Sequence, residues 1–130
     1  MAYANLNNDG LSIIQANDST VIVDNFQSIR GGRTLDATGF TPEVIKAGHV
    51  IIKETNGDQY RPMPISGDAY DSLPAGHSYV GVLIASILTA KPFAGIMVRG
   101  TVNPSCTPYP MTAILAAFKT AVPLIDWRAD

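Results

Sequence analysis

The sequence is poor in the residues that usually announce chemistry. It holds one cysteine in 130 residues, Cys106, which excludes an intrachain disulfide and is compatible with a reducing compartment. Only 15% of residues are charged, where about 25% is usual for a soluble domain. Either the surface is polar and neutral, or other chains cover part of it. The nine Lys and Arg residues are scattered and the formal net charge is −2. Phosphate neutralisation requires a basic stripe and none is present, so nucleic acid is not expected as a partner. The first basic residue is Arg30, so no positive segment precedes an apolar one and no signal peptide is expected. The longest apolar run starts at Tyr79 and lasts about ten residues, too short to span a bilayer, so no membrane partner is expected.

Chemical motifs are missing as well. There is no GxSxG, HExxH, CxxC, kinase or dinucleotide fingerprint. Cys106 with His49 or His77 would be the only thiol–imidazole pair on offer, and Cys106 sits among prolines rather than at a helix start that would activate it. The two histidines with Asp68 or Asp71 lack the spacing of metal ligands. Glu54 and Asp58 flank a turn, where solvation explains them. The pair Gly31-Gly32 has no Gly-Lys-Ser/Thr after it, so it is not a phosphate loop. No catalytic residue, cofactor or metal site is expected.

What the chain does have is β pattern. Ser78 to Val102 comprises two apolar runs joined at Lys91-Pro92. In the second, Ala94, Ile96, Val98, Gly100 and Val102 alternate with Gly95, Met97, Arg99 and Thr101, the period of a strand. The first, Tyr79 to Leu88, is apolar on both parities, as in a strand covered on both sides. These two strands form the expected core. Asn56-Gly57, between His49–Thr55 and Asp58–Pro62, predicts a hairpin with a type I′ turn. Pro62 and Pro64 stop its second strand or confine it to an edge. Residues 65–77 read as a turn-rich loop ending in Ala-Gly-His, the triplet that also precedes Val50, so each histidine is expected to begin a strand after a glycine turn.

The flanks are less regular. Leu11–Gln15 and Thr20–Asp24, joined by Ala16-Asn17-Asp18-Ser19, predict a small hairpin or a pairing arm. Residues 25–48 are irregular; Arg30 and Arg33 flank the glycine pair with Asp36 close by, and are expected to pair with carboxylates of this chain or a neighbour. Thr41-Pro42 can start one helical turn over Pro42–Lys46. Three prolines in Asn103–Pro110 make a stiff, extended segment. One helix is expected, from Pro110 or Met111 to Ala121, with Ile114, Leu115 and Phe118 as its apolar stripe, ended by Pro123. A short terminal strand follows, with Trp127 at an edge or interface.

The order of these features resembles a known family. Ala47-Gly48 leads into Val50–Ile52, a hairpin leaves through Tyr60-Arg61-Pro62, and then come Tyr79-Val80-Gly81-Val82-Leu83, the Arg99-Gly100 strand, a helix and a final strand. This is similar to the small capsid-decoration proteins of tailed bacteriophages, of the lambda head-decoration type, over about residues 45–126. Ser28-Ile29-Arg30-Gly31-Gly32-Arg33-Thr34-Leu35-Asp36 with Gly39-Phe40 resembles head-fibre and auxiliary capsid proteins of crAss-like phages. The resemblance implies a mainly β protein with one short C-terminal helix. A small barrel or sandwich (β-tulip-like) over residues 47–130 would follow an N-terminal arm or hairpin, residues 1–46, laid on the capsid. It implies a non-enzymatic virion protein on the outer capsid surface, made in the host cytoplasm, stabilising the head and able to anchor a fibre. Its partners would be the major capsid protein, a fibre protein or further copies of itself in a trimer. Arg30, Gly31, Gly32, Arg33, Asp36, Phe40 and Trp127 are the expected contact residues. The alternatives are a free cytosolic binding module on a β-barrel scaffold and a small Cys/His-dependent enzyme.

Overall fold

In a computed structural model, residues 18–129 are described. The protein is mainly β. A single helical turn, α1 (Asp18–Val21), leads into β1 (Ile22–Ser28), β2 (Arg33–Thr34), β3 (Val44–Ile45), β4 (Val50–Glu54) and β5 (Tyr60–Pro62). Then follow β6 (Ile65–Ser66), β7 (Ala69–Tyr70), β8 (His77–Leu83), β9 (Ile87–Leu88), β10 (Phe93–Ala94) and β11 (Ile96–Val102). Helix α2 (Leu115–Ala121) and β12 (Ile125–Trp127) close the chain. The main sheet runs β1-β11-β8-β4-β5, with β12 parallel to β11. Three two-stranded ribbons, β2/β10, β3/β9 and β6/β7, stand apart from it. The sheets are open and do not close into a barrel. No helix among the described residues is long and apolar enough to cross a membrane.

Both faces of the main sheet are covered, and each central strand divides its side chains between two clusters. Val50 and Ile52 of β4, Val82 of β8 and Met97 and Val102 of β11 join Phe118, Met111, Ile114 and Ile125 on one face. Ile51, Leu83 and Ile96 join Leu35, Ile45 and Ala94 on the other. Helix α2 and the proline-rich segment lie over the first face, and the β2/β10 and β3/β9 ribbons over the second. Phe118 is the largest fully buried side chain, held edge-on between the rings of Tyr79 and Trp127 at centroid distances of 5.4 and 5.3 Å.

The expected core pair exists, but only in part. β8 and β11 pair at Leu83–Ile96 and Val82–Met97. The apolar run ends as a strand at Leu83, because Asp18 accepts bonds from the Ser86 N–H and hydroxyl (2.9 and 2.8 Å) and fixes a bend there. Ile87 and Leu88 then serve a separate ribbon with β3. The alternation expected from Ala94 to Val102 also breaks: Ile96 and Val102 face opposite clusters. The switch lies between Met97 and Gly100: Met97 faces Ser28 and Arg99 faces Gln27, so Val98 is an extra residue of β11. Gly100, just beyond it, approaches the Asp24 carbonyl too closely for a Cβ, and its φ of +156° suits glycine. Gly81 makes a second close approach. A Cβ there would lie 2.0 Å from the Met97 carbonyl oxygen, so no side chain fits where β8 meets β11.

Other expectations need correction. Residues 42–46 form no helical turn; the β-branched pair Val44-Ile45 is a strand, held by Thr89, whose N–H and hydroxyl bond the Glu43 and Pro42 carbonyls. The β4–β5 hairpin is present, with Lys53 opposite Tyr60, but its loop is not type I′: neither Asn56 nor Gly57 has positive φ. The Thr55 N–H is taken by the Gly76 carbonyl at 2.9 Å, which widens the loop until Glu54 pairs with Gln59. β5 is an edge strand, as Pro62 requires. Residues 65–77 contain the β6/β7 hairpin. The helix begins at Leu115, later than Pro110, with turns before it.

Leu11–Gln15, half of the expected N-terminal hairpin, lies outside the described residues. So do residues 1–10, 16 and 17, and the described part of the expected arm is not separate from the body. From Ile22 onward it supplies β1 to the main sheet and β2 and β3 to two ribbons, so a boundary between residues 46 and 47 divides no structural units here.

Two substitutions test this packing. Phe118→Ala is expected to cost about 3–5 kcal/mol. Gly81→Ala is expected to cost at least about 2 kcal/mol, because backbone rather than a flexible side chain must move. Gly95→Ala, whose Cβ would make ordinary contact with Ile84, is the control and should stay within about 0.5 kcal/mol. Urea unfolding midpoints check all three.

Candidate functional site

The expected contact residues fall into three places. The first is a turn. Gly31 and Gly32 both adopt left-handed φ, +79° and +66°, and a Cβ on Gly32 would sit 2.7 Å from the Ala94 carbonyl. Only glycine allows the chain to reverse so tightly against β10. The turn presents Arg30 and Arg33 to solvent. Arg33 donates through Nη1 to the Arg30 and Gly32 carbonyls (3.1 and 2.6 Å), and its guanidinium lies 5.7 Å from the Tyr60 ring centroid. Beside it is Phe93, opposite Thr34 in the β2/β10 ribbon and 68% exposed.

The ion pairs expected for Arg30, Arg33 and Asp36 do not form among the described residues. Among the described residues the salt bridges are Lys53–Asp58 and Arg128–Asp126. Asp36 instead accepts bonds from the Thr38 N–H and hydroxyl, which hold its carboxyl below the usual range, with a small further push from Arg61. It shares a shallow cleft with Phe40, Arg61, Pro62 and Ile65. Trp127 belongs elsewhere. It packs on Phe118, on the opposite face of the sheet from Phe40, and its indole N–H is buried without a hydrogen-bond partner.

Sequence reasoning missed the surroundings of His49. The imidazole is fully buried, walled by the rings of Phe40, Tyr70 and Tyr109 at 5.3, 5.2 and 5.6 Å. Its Nε2 stands 2.9 Å from the Met63 carbonyl, which can only accept, so Nε2 carries the proton and Nδ1 is a bare acceptor without a partner. Burial pushes its pKa down to about 4, against the weaker pull of the Met63 carbonyl. Tyr70 is buried beside it and its hydroxyl accepts the Val50 N–H at 3.1 Å; burial raises its pKa well above the ordinary value. A cleft between Pro42–Lys46 and Pro108–Tyr109 leads toward His49. No sequence signal marks this cluster, because its rings come from four distant segments.

Comparison with protein-family models, with curated proteins and with solved structures finds no match to this chain.

The two Ala-Gly-His triplets share one geometry. Gly48 and Gly76 are both left-handed (+87° and +76°), and each histidine N–H bonds the carbonyl three residues back, at 3.1 and 3.3 Å. Neither ring bonds Cys106: His77 donates through Nδ1 to the Ala75 carbonyl. Cys106 is half-buried against the first cluster. Among the described residues, no group of three or more His, Cys, Asp or Glu converges as metal ligands do.

His49 makes stability depend on pH in a defined window. Between about pH 6.5 and pH 4 the unfolded chain binds a proton that the folded chain refuses, so stability falls as pH falls. The full loss is about 3 kcal/mol, at 1.36 kcal/mol per pKa unit. His49→Gln keeps an N–H for Met63 and should flatten this slope. Urea midpoints at pH 7 and pH 4.5 measure both proteins. Asp36 contributes only lower, where stability is lost as pH drops below the ordinary carboxylate range.

Proposed function

We propose that this chain is a structural, non-enzymatic virion protein that attaches to the outer surface of a capsid. It acts as a decoration domain that stabilises the head and offers a base for a fibre. The observation that carries this reading is the Gly31–Gly32 turn with its surroundings. Arg30 and Arg33 are exposed and have no carboxylate partner among the described residues, and the ring of Phe93 stands open beside them. An exposed aromatic ring next to unneutralised guanidinium groups suits a protein partner that carries carboxylates at the matching positions. The major capsid protein is that partner in this reading.

Two further points support it. The residues of this surface are the ones on which the resemblance to auxiliary capsid and head-fibre proteins rests, from Ser28 to Asp36. The turn is also rigid: its two left-handed glycines and the Arg33 bonds to backbone carbonyls fix the guanidinium before binding, which lowers the entropy lost on docking.

Particles purified with the chain co-expressed should contain it at a fixed ratio to the capsid protein, measured by quantitative mass spectrometry. Arg30→Glu with Arg33→Glu should cut occupancy on preassembled shells by about tenfold or more, as for charge reversal in a protein interface. Cys106→Ser should leave occupancy unchanged. Absence from particles, or wild-type occupancy by the double variant, overturns the reading.

A further inference from the structure

The far edge of the main sheet carries a second surface that the attachment reading does not use. β1 pairs with β11 on one side only and ends the sheet. The other edge strand, β5, is short, contains Pro62, and has its Tyr60 carbonyl bonded by the Asp36 N–H at 2.8 Å. Among the described residues nothing covers β1 in this way, and all its residues from Val23 to Ser28 are exposed. It includes two of the large exposed apolar side chains, Val23 at 47% and Phe26 at 68%.

The register explains how these two side chains reach solvent. Ile22 faces Val102 and Asp24 faces Thr101, so Val23 is an extra residue; Asn25 faces Gly100 and Gln27 faces Arg99, so Phe26 is another. Each is a β-bulge, which re-aims a side chain and interrupts the backbone edge. Regular addition of a further strand is therefore blocked along β1. What the edge offers is side chains.

The charges on this surface are arranged in opposition. The Arg99 guanidinium lies over the Phe26 ring, 6.0 Å from its centroid. Arg99 is exposed, and so is Asp24. Neither forms an ion pair among the described residues. In register the two are two positions apart, since Asp24 stands at Thr101 and Gln27 at Arg99 with Phe26 as the extra residue, a spacing of about 7 Å along the strand. Asn25 and Phe26 lie between them.

We infer that β1 is the contact between two copies of this chain, related by a two-fold axis through Asn25 and Phe26. Rotation about that axis sets Asp24 of each copy against Arg99 of the other, twice, with the two Phe26 rings between the pairs and Val23 flanking them. An isologous interface must be its own complement, and a patch with one anion and one cation on either side of an apolar centre meets that condition. A partner surface of one charge sign would meet repulsion at one of the two groups. The bulges add closure: with strand addition blocked, association stops at two copies instead of running on as a fibre.

Sedimentation equilibrium of the full chain without capsid, from 10 µM to 1 mM, tests this. A monomer–dimer equilibrium is expected that weakens between 50 and 500 mM NaCl, because exposed ion pairs are screened. Asp24→Arg and Arg99→Asp, each alone, should weaken association by about tenfold or more. The double exchange should return it to within about threefold of wild type, since it restores both pairs with their signs reversed. Phe26→Ser should abolish it. All three positions are exposed, and circular dichroism confirms the fold of each variant. A monomer throughout, a trimer or larger species, singles equal to wild type, or a double exchange as weak as the singles overturns the two-fold contact. Asp24→Arg should retain wild-type capsid occupancy, so failure here and failure of the attachment reading are distinguishable.

Discussion

The meeting of β8 and β11 at Gly81 governs the rest of the structure. Backbone there approaches backbone so closely that a single Cβ would overlap the Met97 carbonyl. That approach aligns Leu83 with Ile96 and Val82 with Met97. Leu83 and Ile96 supply the second cluster and Val82 and Met97 the first, so two adjacent pairs seed both cores. Beyond Met97 the strands part. β12 takes the place beside β11 that β8 leaves, and Phe118 enters between Tyr79 and Trp127. One contact between two glycine-containing strands thus sets the sheet order, the position of the helix and the separation of the two clusters.

Glycine does comparable work at the surface. Gly100 lets β11 pass close to the Asp24 carbonyl just beyond the extra residue Val98, where the inward side of the strand reverses and Val102 reaches the first cluster although Ile96 belongs to the second. At Gly31 and Gly32 it turns the chain back against β10 and exposes two arginines without ion-pair partners among the described residues. In the proposed attachment the second use is the functional one, because a turn held in place by backbone geometry presents charge without first having to order itself.

Interior and surface handle polarity in opposite ways. His49 is fully buried with a bare nitrogen among three aromatic rings, and the cost of charging it there shows as a pKa near 4. Arg30, Arg33, Asp24 and Arg99 are exposed, with their charges unmatched by any ion pair among the described residues. The core is therefore acid-sensitive, while these surface charges stand in solvent. A low share of charged residues, 15%, makes that distribution consequential, because few charges remain to neutralise one another within the chain.

Local pattern determined a good part of this protein. Period-two alternation located β11, a run apolar on both parities located β8, Asn56-Gly57 between β-prone runs located β4, Pro62 assigned β5 to an edge, and the apolar stripe with Pro123 located α2 and its end. The glycine turns before His49 and His77 were equally legible, since a left-handed residue in a tight turn is a local requirement. Tertiary structure decided what depended on partners far along the chain. Asp18 bends the backbone at Ser86, 68 residues away; Gly76 takes the Thr55 N–H that a type I′ turn at Asn56-Gly57 would have bonded to the Asp58 carbonyl; β9 draws Val44-Ile45 out of a helical turn. The His49 cluster, the facing of Val102 and the packing of Trp127 against the chain's own Phe118 belong to the same class. Each rests on hydrogen bonds or packing between residues that the sequence keeps apart, and no local periodicity records such a pairing.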